Sequence, residues 1–198
     1  MGFGIWDLGF DVIGFEDQHR LLVLARRALE ARVRREAPPA PDRGGALEWP
    51  RGAFVSIHCR GDLRGCLGRL DTDQPLADTV AQLAASVSDS DPRFDPVRLG
   101  EVDALDVEIS VLTPDREVAS ISDVEVGRHG LIVEQGGRRG LLLPQVATEY
   151  GWDAETFVAH TCLKAGLPGD AWRHGARIFV FEAQVFGEGR NHKSHIHG

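Results

Sequence analysis

Two strand-like runs, Ala53–Cys59 and Leu63–Leu67, flank Gly61-Asp62, a pair that can turn the chain tightly with glycine at its first central position. A β-hairpin is the structure this pattern predicts, and a hairpin commits the segment to an antiparallel sheet. With a two-residue loop, Cys59 is expected opposite Arg64 and Ile57 opposite Cys66. Cys59 and Cys66 would then be diagonal neighbours on one face. The second strand carries Leu63-Arg64-Gly65-Cys66-Leu67-Gly68. In an extended chain, alternation sends Arg64 and Cys66 to one face and Leu63 and Leu67 to the other. A guanidinium beside a thiol favours the thiolate, which is the nucleophilic and metal-binding form. Glycines at 65 and 68 have no Cβ, so a ligand or another backbone can approach. The same residues also describe a packed, Gly-rich strand with a small buried cysteine.

Elsewhere the periodicity reads as alternating helices and strands. Glu16 to about Glu36 is predicted to be a helix, with Leu22, Ala25, Leu29 and Val33 on one face and Arg26, Arg27, Arg34 and Arg35 clustered elsewhere, as a solvated face with acidic neighbours or a contact for a partner. Pro38-Pro39-Ala40-Pro41 stops it. A second helix begins near Pro75, with Asp73 as a candidate cap and Leu76, Val80, Leu83 and Val87 as its apolar stripe. The loop from Ser88 to Pro96 contains two Asp-Pro pairs, three carboxylates and Arg93. Such a loop holds an ion or ligand, or satisfies its own backbone.

Asp106 to Leu112 alternates, with Val107, Ile109 and Val111 to one side and Asp106, Glu108 and Ser110 to the other. If the polar side lines a cleft, Glu108 is a candidate base or histidine partner. Gly127-Arg128-His129-Gly130 is a tight turn into a strand at Leu131–Glu134, which Gly136 to Gly140 turns back as a second hairpin. No Gly-Lys-Ser/Thr ending or directly following helix supports a phosphate loop there. A short helix from Pro144, a helix capped by Asp153 and a buried strand at Ile178–Phe181 complete the reading.

Composition limits the function. A net charge of −8 gives no electrostatic footprint for nucleic acid. The odd set of three cysteines, Cys59, Cys66 and Cys162, suits a reducing compartment better than a disulfide scaffold. No apolar run approaches a membrane span and no signal peptide is visible, so a cytoplasmic protein is expected. His192, His195 and His197 close no coordination shell, and no metal or other cofactor is expected.

Six segments in order carry a resemblance. They are the Leu63–Gly68 hexapeptide, Asp91-Pro92-Arg93-Phe94, Glu108-Ile109-Ser110-Val111-Leu112, Gly127-Arg128-His129-Gly130-Leu131, Gly140 to Ala147 through Pro144 and Gln145, and Cys162-Leu163-Lys164-Ala165-Gly166-Leu167. Together these resemble the AMMECR domain family, with Leu67 standing where the family usually has isoleucine. The resemblance implies an α+β fold, an antiparallel sheet with flanking helices, and a larger and a smaller lobe around a cleft. It also implies a Memo-like protein and a radical SAM protein as functional neighbours, and it supplies no reaction. Residues 1–15 are then an N-terminal arm, 16–187 one domain in two lobes, and 188–198 a His-rich tail read as disordered.

Two functions of different class follow. The first is an enzyme acting on a peptide or modified residue: Cys66 is the nucleophile, Arg64 its electrostatic partner, His129 the base and Glu108 the group orienting it. Gly65, Gly68, Asp91, Arg93 and Gln145 are the candidate binding positions. The second is a binding or adaptor module that uses the hexapeptide and the Asp91–Arg93 loop as its recognition surface. Redox sensing and a metal site of Cys66, His129 and Cys59 are the remaining alternatives, though the spacing matches no standard zinc pattern.

Overall fold

Helix α1, Phe15–Arg34, opens with Glu16 and Asp17 and closes with Arg32 and Arg34, charges that suit the helix dipole at each end. Arg35 then adopts a left-handed conformation (φ 58°), and backbone N–H groups close onto the carbonyls of Ala31 and Arg32 before the prolines. The buried stripe is wider than the expected four residues. It holds Leu21, Leu24, Ala25, Ala28, Leu29 and Ala31, while Leu22 and Val33 are only partly buried. The computed structural model describes residues 12–70 and 73–189. The His-rich tail from residue 190 and most of the N-terminal arm lie outside the described residues.

The fold is α+β, and it contains two antiparallel sheets where one was expected. The described residues divide into two compact units, one formed by those up to Leu112 with those from Gln184 onward, the other by Thr113–Ala183. In the first unit, strands β1 (Ala53–Cys59), β2 (Asp62–Arg69), β3 (Leu105–Leu112) and β8 (Ala183–Gly187) form a sheet in the order β2-β1-β3-β8. Alternation decides its faces. Ala53, Val55, Ile57, Val107, Ile109 and Val111 are buried in one core with α1 and helix α2, Leu76–Ser86. Helix α2 is preceded by Pro75 at the N-cap with no side-chain cap, so Asp73 does not play the expected capping role.

In the second unit, β4 (Arg116–Val118), β5 (Gly130–Gln135), β6 (Arg138–Leu142) and β7 (Arg177–Phe181) form a sheet in the order β4-β7-β5-β6. Its core packs Leu131, Val133, Ile178 and Val180 against Phe157, Val158 and Cys162 of helix α4, Ala154–Lys164. Asp153 caps α4 as expected, its side chain accepting from Thr156 N–H. Helix α3, Pro144–Glu149, begins on its proline.

The first hairpin forms with a different register from the one expected. Its central turn residues are Arg60 (φ 55°) and Gly61 (φ 92°), both left-handed, as a type I′ turn requires. Cys59 therefore pairs with Asp62 and His58 with Leu63. A bulge follows, after which Ile57 pairs with Gly65 and Ser56 with Cys66. The glycine takes the second central position rather than the first, and one extra residue enters β2.

Candidate functional site

This register places Ser56 at the centre of a row across three strands. Ser56 lies opposite Cys66 on β2 and opposite Glu108 on β3, so the three side chains share the sheet face turned away from the helices. Phe54 and His58 lie on the same face, one pair to either side of Ser56, with Ser110 opposite Phe54 and Asp106 opposite His58. Cys59 falls on the other face, where it packs against the core. The expectation that Cys59 and Cys66 are same-face neighbours is corrected by the bulge and the shifted turn. Both thiols are free.

The backbone at Cys66 is held from outside the sheet. β2 is an edge strand, and the Cys66 N–H points outward to donate to Asp91 Oδ2 at 2.9 Å. Asp91 Oδ1 accepts from the backbone N–H of Arg93 at 3.1 Å and from its Nε at 3.0 Å, while Oδ2 also accepts from the Arg93 terminal nitrogen at 2.7 Å. A second contact runs from that terminal nitrogen to the Cys66 carbonyl at 3.4 Å. A side chain only 3% exposed thus clamps a loop to the edge strand at the cysteine itself. The Arg93 guanidinium, aided by the N–H groups of Cys66 and Arg93, holds the Asp91 carboxyl well below the usual range despite burial. With its N–H turned to the loop, Cys66 forms a non-hydrogen-bonded pair with Ser56, the kind that brings opposed side chains closest.

Arg64 sits at the bulge and faces the same loop. Its Nε donates to Glu101 at 3.0 Å and its terminal nitrogen to the Asp95 carbonyl at 2.9 Å. That pairing lowers the pKa of Glu101. The glycines have a packing reason. A Cβ on Gly65 would stand 3.1 Å from Val87 Cγ2 and from the Val87 carbonyl oxygen, and one on Gly68 would lie 2.1 Å from Phe54 Cδ1. Gly65 admits α2 to the sheet, and Gly68 lets the Phe54 ring lie across the strand beside Cys66.

Against these saturated groups, the row itself is idle. Among the described residues, the side chains of Ser56, Cys66, Glu108 and His58 form no hydrogen bond or ion pair, while Asp106 interacts electrostatically with Arg26 of α1. Cys66, Ser56, Glu108 and His58 are half-buried. A thiol, a hydroxyl, a carboxylate and an imidazole lie on one face without hydrogen bonds among the described residues, next to a backbone pinned by a buried carboxylate.

His129 and Gln145 belong to the second unit. His129 is 3% exposed, and its Nδ1 accepts the Glu125 backbone N–H at 3.0 Å. Burial lowers its pKa, against the opposing pull of Glu125 and Glu182. The neutral ring therefore carries its proton on Nε2, 3.8 Å from Glu182, and has no lone pair free to act as a base. Gln145 is exposed near the start of α3. Among the described residues, no group of three or more His, Cys, Asp or Glu side chains is placed to hold a metal ion. Sequence reasoning missed Ser56, His58 and Asp106. Their signal was the alternation of β1 and β3, which needs the register to become a site.

The AMMECR1 family profile matches residues 22–186. A protein of Methanothermobacter thermautotrophicus is 46% identical over 185 residues, covering 87% of this chain and 95% of that protein. A protein of Methanocaldococcus jannaschii is 47% identical over 147 residues, covering 70% and 73%. The crystal structure of an uncharacterized protein from Pyrococcus horikoshii superposes with a TM-score of 0.70 at 40% identity, covering 85% of this chain and 89% of that one.

Proposed function

The chain belongs to the AMMECR1 family, and from that premise we propose that it is a Cys66-dependent catalyst acting on a peptide or a modified side chain. One observation carries the reading. Cys66 is pinned through its own peptide group by Asp91 and Arg93, while its thiol shares an open face with the unengaged Ser56 and Glu108. Cys66 is the nucleophile. Glu108 is the carboxylate of the row, placed to orient a partner or accept a proton. Ser56 supplies a hydroxyl between them that can donate to oxygen on the substrate. Arg93 is a guanidinium that couples electrostatically to Cys66, and it takes the place first expected for Arg64.

The Memo-like and radical SAM proteins implied by the resemblance enter this proposal as candidate suppliers of the substrate. Three free thiols suit work in the reducing cytoplasm. The test is alkylation of the full chain by iodoacetamide, followed residue by residue through peptide mass mapping. Cys66 is expected to react faster than N-acetylcysteine near pH 7, and Cys66→Ser removes that label. A Cys66 that reacts no faster than the free thiol ends the proposal.

A further inference from the structure

The open face holds a histidine that no reading of the isolated sequence singled out. His58 follows Ser56 by two residues on β1, on the same face, and it lies opposite Asp106. Residues two apart on a strand stand about 7 Å from one another. Diagonal partners across a pair are about 7–8 Å apart at Cα and closer at Cβ, within reach of long side chains. His58 and Cys66 are such a diagonal pair about the Ser56–Cys66 row, with the β2 bulge between His58 and that row, and an imidazole turned toward the thiol can reach across it. The half-buried imidazole binds nothing among the described residues, so either ring nitrogen is free. A carboxylate opposite the histidine can take the other ring N–H, which gives the nucleophile–base–orienter order of thiol catalysis.

We infer that His58 is the general base for Cys66, with Asp106 as its positioning residue. The assignment rests on the Cys66 reading above. All three groups stand on adjacent strands of one sheet, so their spacing is set by hydrogen-bonded backbone rather than by loops. The titratable groups that share the face with His58 are Asp106 and Glu108 from β3 and Cys66 from β2, and Arg26 of α1 couples electrostatically to Asp106. Arg26 is already paired with Glu188, so Asp106 and Glu108 keep negative charge on this face to stabilise an imidazolium. As the sulfur attacks, its proton passes to the neutral imidazole and the electron pair stays on sulfur. With iodoacetamide, the sulfur–carbon bond forms as the carbon–iodine bond breaks, iodide leaves with its electron pair, and the proton ends on His58.

The experiment measures the pH dependence of Cys66 alkylation in the full-length wild type, His58→Gln and Asp106→Asn, with Cys59 as the internal reference. Wild type is expected to show a step in the rate below the pH at which a free thiol ionises. His58→Gln loses the step and alkylates Cys66 on the order of tenfold more slowly at pH 7, below the usual range for general-base catalysis because the reagent is small. Free imidazole in the buffer restores part of the rate, which a purely structural role would not permit. Asp106→Asn displaces the step without abolishing it. If His58→Gln keeps the wild-type step while Cys66 stays faster than a free thiol, the assignment of His58 is wrong and the Cys66 reading survives. If wild-type Cys66 is no faster than a free thiol, that reading fails and this assignment with it.

Discussion

Replacing Asp91 by asparagine removes the charge of the clamp while keeping its shape. Each carboxylate oxygen accepts two hydrogen bonds: Oδ1 from the N–H and Nε of Arg93, Oδ2 from the Cys66 N–H and the Arg93 terminal nitrogen. An asparagine has one oxygen, so whichever side receives its amide loses two bonds and meets donors with a donor. Hydrogen bonds to a charged group are worth about 1.5–3 kcal/mol each. Arg93 is 58% exposed, so its share is screened by water and counts for less. The expected net cost is about 2 kcal/mol, concentrated at the edge strand, or about a 30-fold increase in opening at the Cys66 amide.

Amide hydrogen exchange at Cys66, read beside the urea midpoint of the first unit, measures it. The pH dependence follows from the direction of the Asp91 shift. Its carboxyl is held below the unfolded value of about 3.9. The contribution is therefore complete above that value and fades as the pH falls through the folded one. The gap between wild type and Asp91→Asn is expected to be constant from about pH 5 to 8 and to close in stronger acid. A difference below about 0.5 kcal/mol with unchanged exchange at Cys66 refutes the clamp, because that is the effect of an ordinary surface substitution.

Three further outcomes follow from the geometry. Arg64→Gln, which releases Glu101 and the Asp95 carbonyl, is expected to cost about 1 kcal/mol while leaving Cys66 alkylation within about twofold. A larger kinetic loss would return Arg64 to the role of thiol partner. Gly65→Ala is expected to destabilise by about 1 kcal/mol, against the usual gain from stiffening a glycine, because its Cβ meets Val87 at 3.1 Å; a raised melting temperature contradicts this. In the second unit, burial lowers the pKa of His129. Stability there is complete above the unfolded value of about 6.5 and falls as the pH drops toward the folded one, and an NMR titration of His129 with its midpoint above 6.5 contradicts that.

The elements were largely legible in the sequence, and the reasons are local. The periodicity of α1, the Asp153 cap and the alternation of β3 each depend on residues within a few positions of one another. Strand β8 was not foreseen, because Ala183–Gly187 has too short an alternation to stand out. That two sheets form rather than one is a matter of which strands meet, and nothing local states it. Cys66 and Glu108 were legible as candidates because each stands on a strand whose parity is clear. The Asp91 clamp was half legible. Its residues were singled out, but their target, the Cys66 peptide group, lies 25 positions away in the chain.

The deepest difference between the sequence reading and the fold comes from one turn. Placing Gly61 first in the turn predicts Ile57 opposite Cys66, and a buried isoleucine beside the thiol argues for a core cysteine. Placing Arg60 first, with a bulge at Arg64, puts Ser56 there instead. Because side chains alternate with period two, that slip carries the whole of β1 to the opposite relation with Cys66. Cys59 leaves the face, and His58, Ser56 and Phe54 join it. The slip depends on a non-glycine residue accepting a left-handed φ at Arg60, which costs about 1–2 kcal/mol and so runs against the local preference. The observed register offsets that cost by setting Gly65 and Leu67 opposite Ile57 and Val55 on the core face, where the alternative would turn Arg64 into the core and Leu67 out of it. The core on one face of the sheet thus chooses the turn, and the turn determines which polar groups face the thiol on the other.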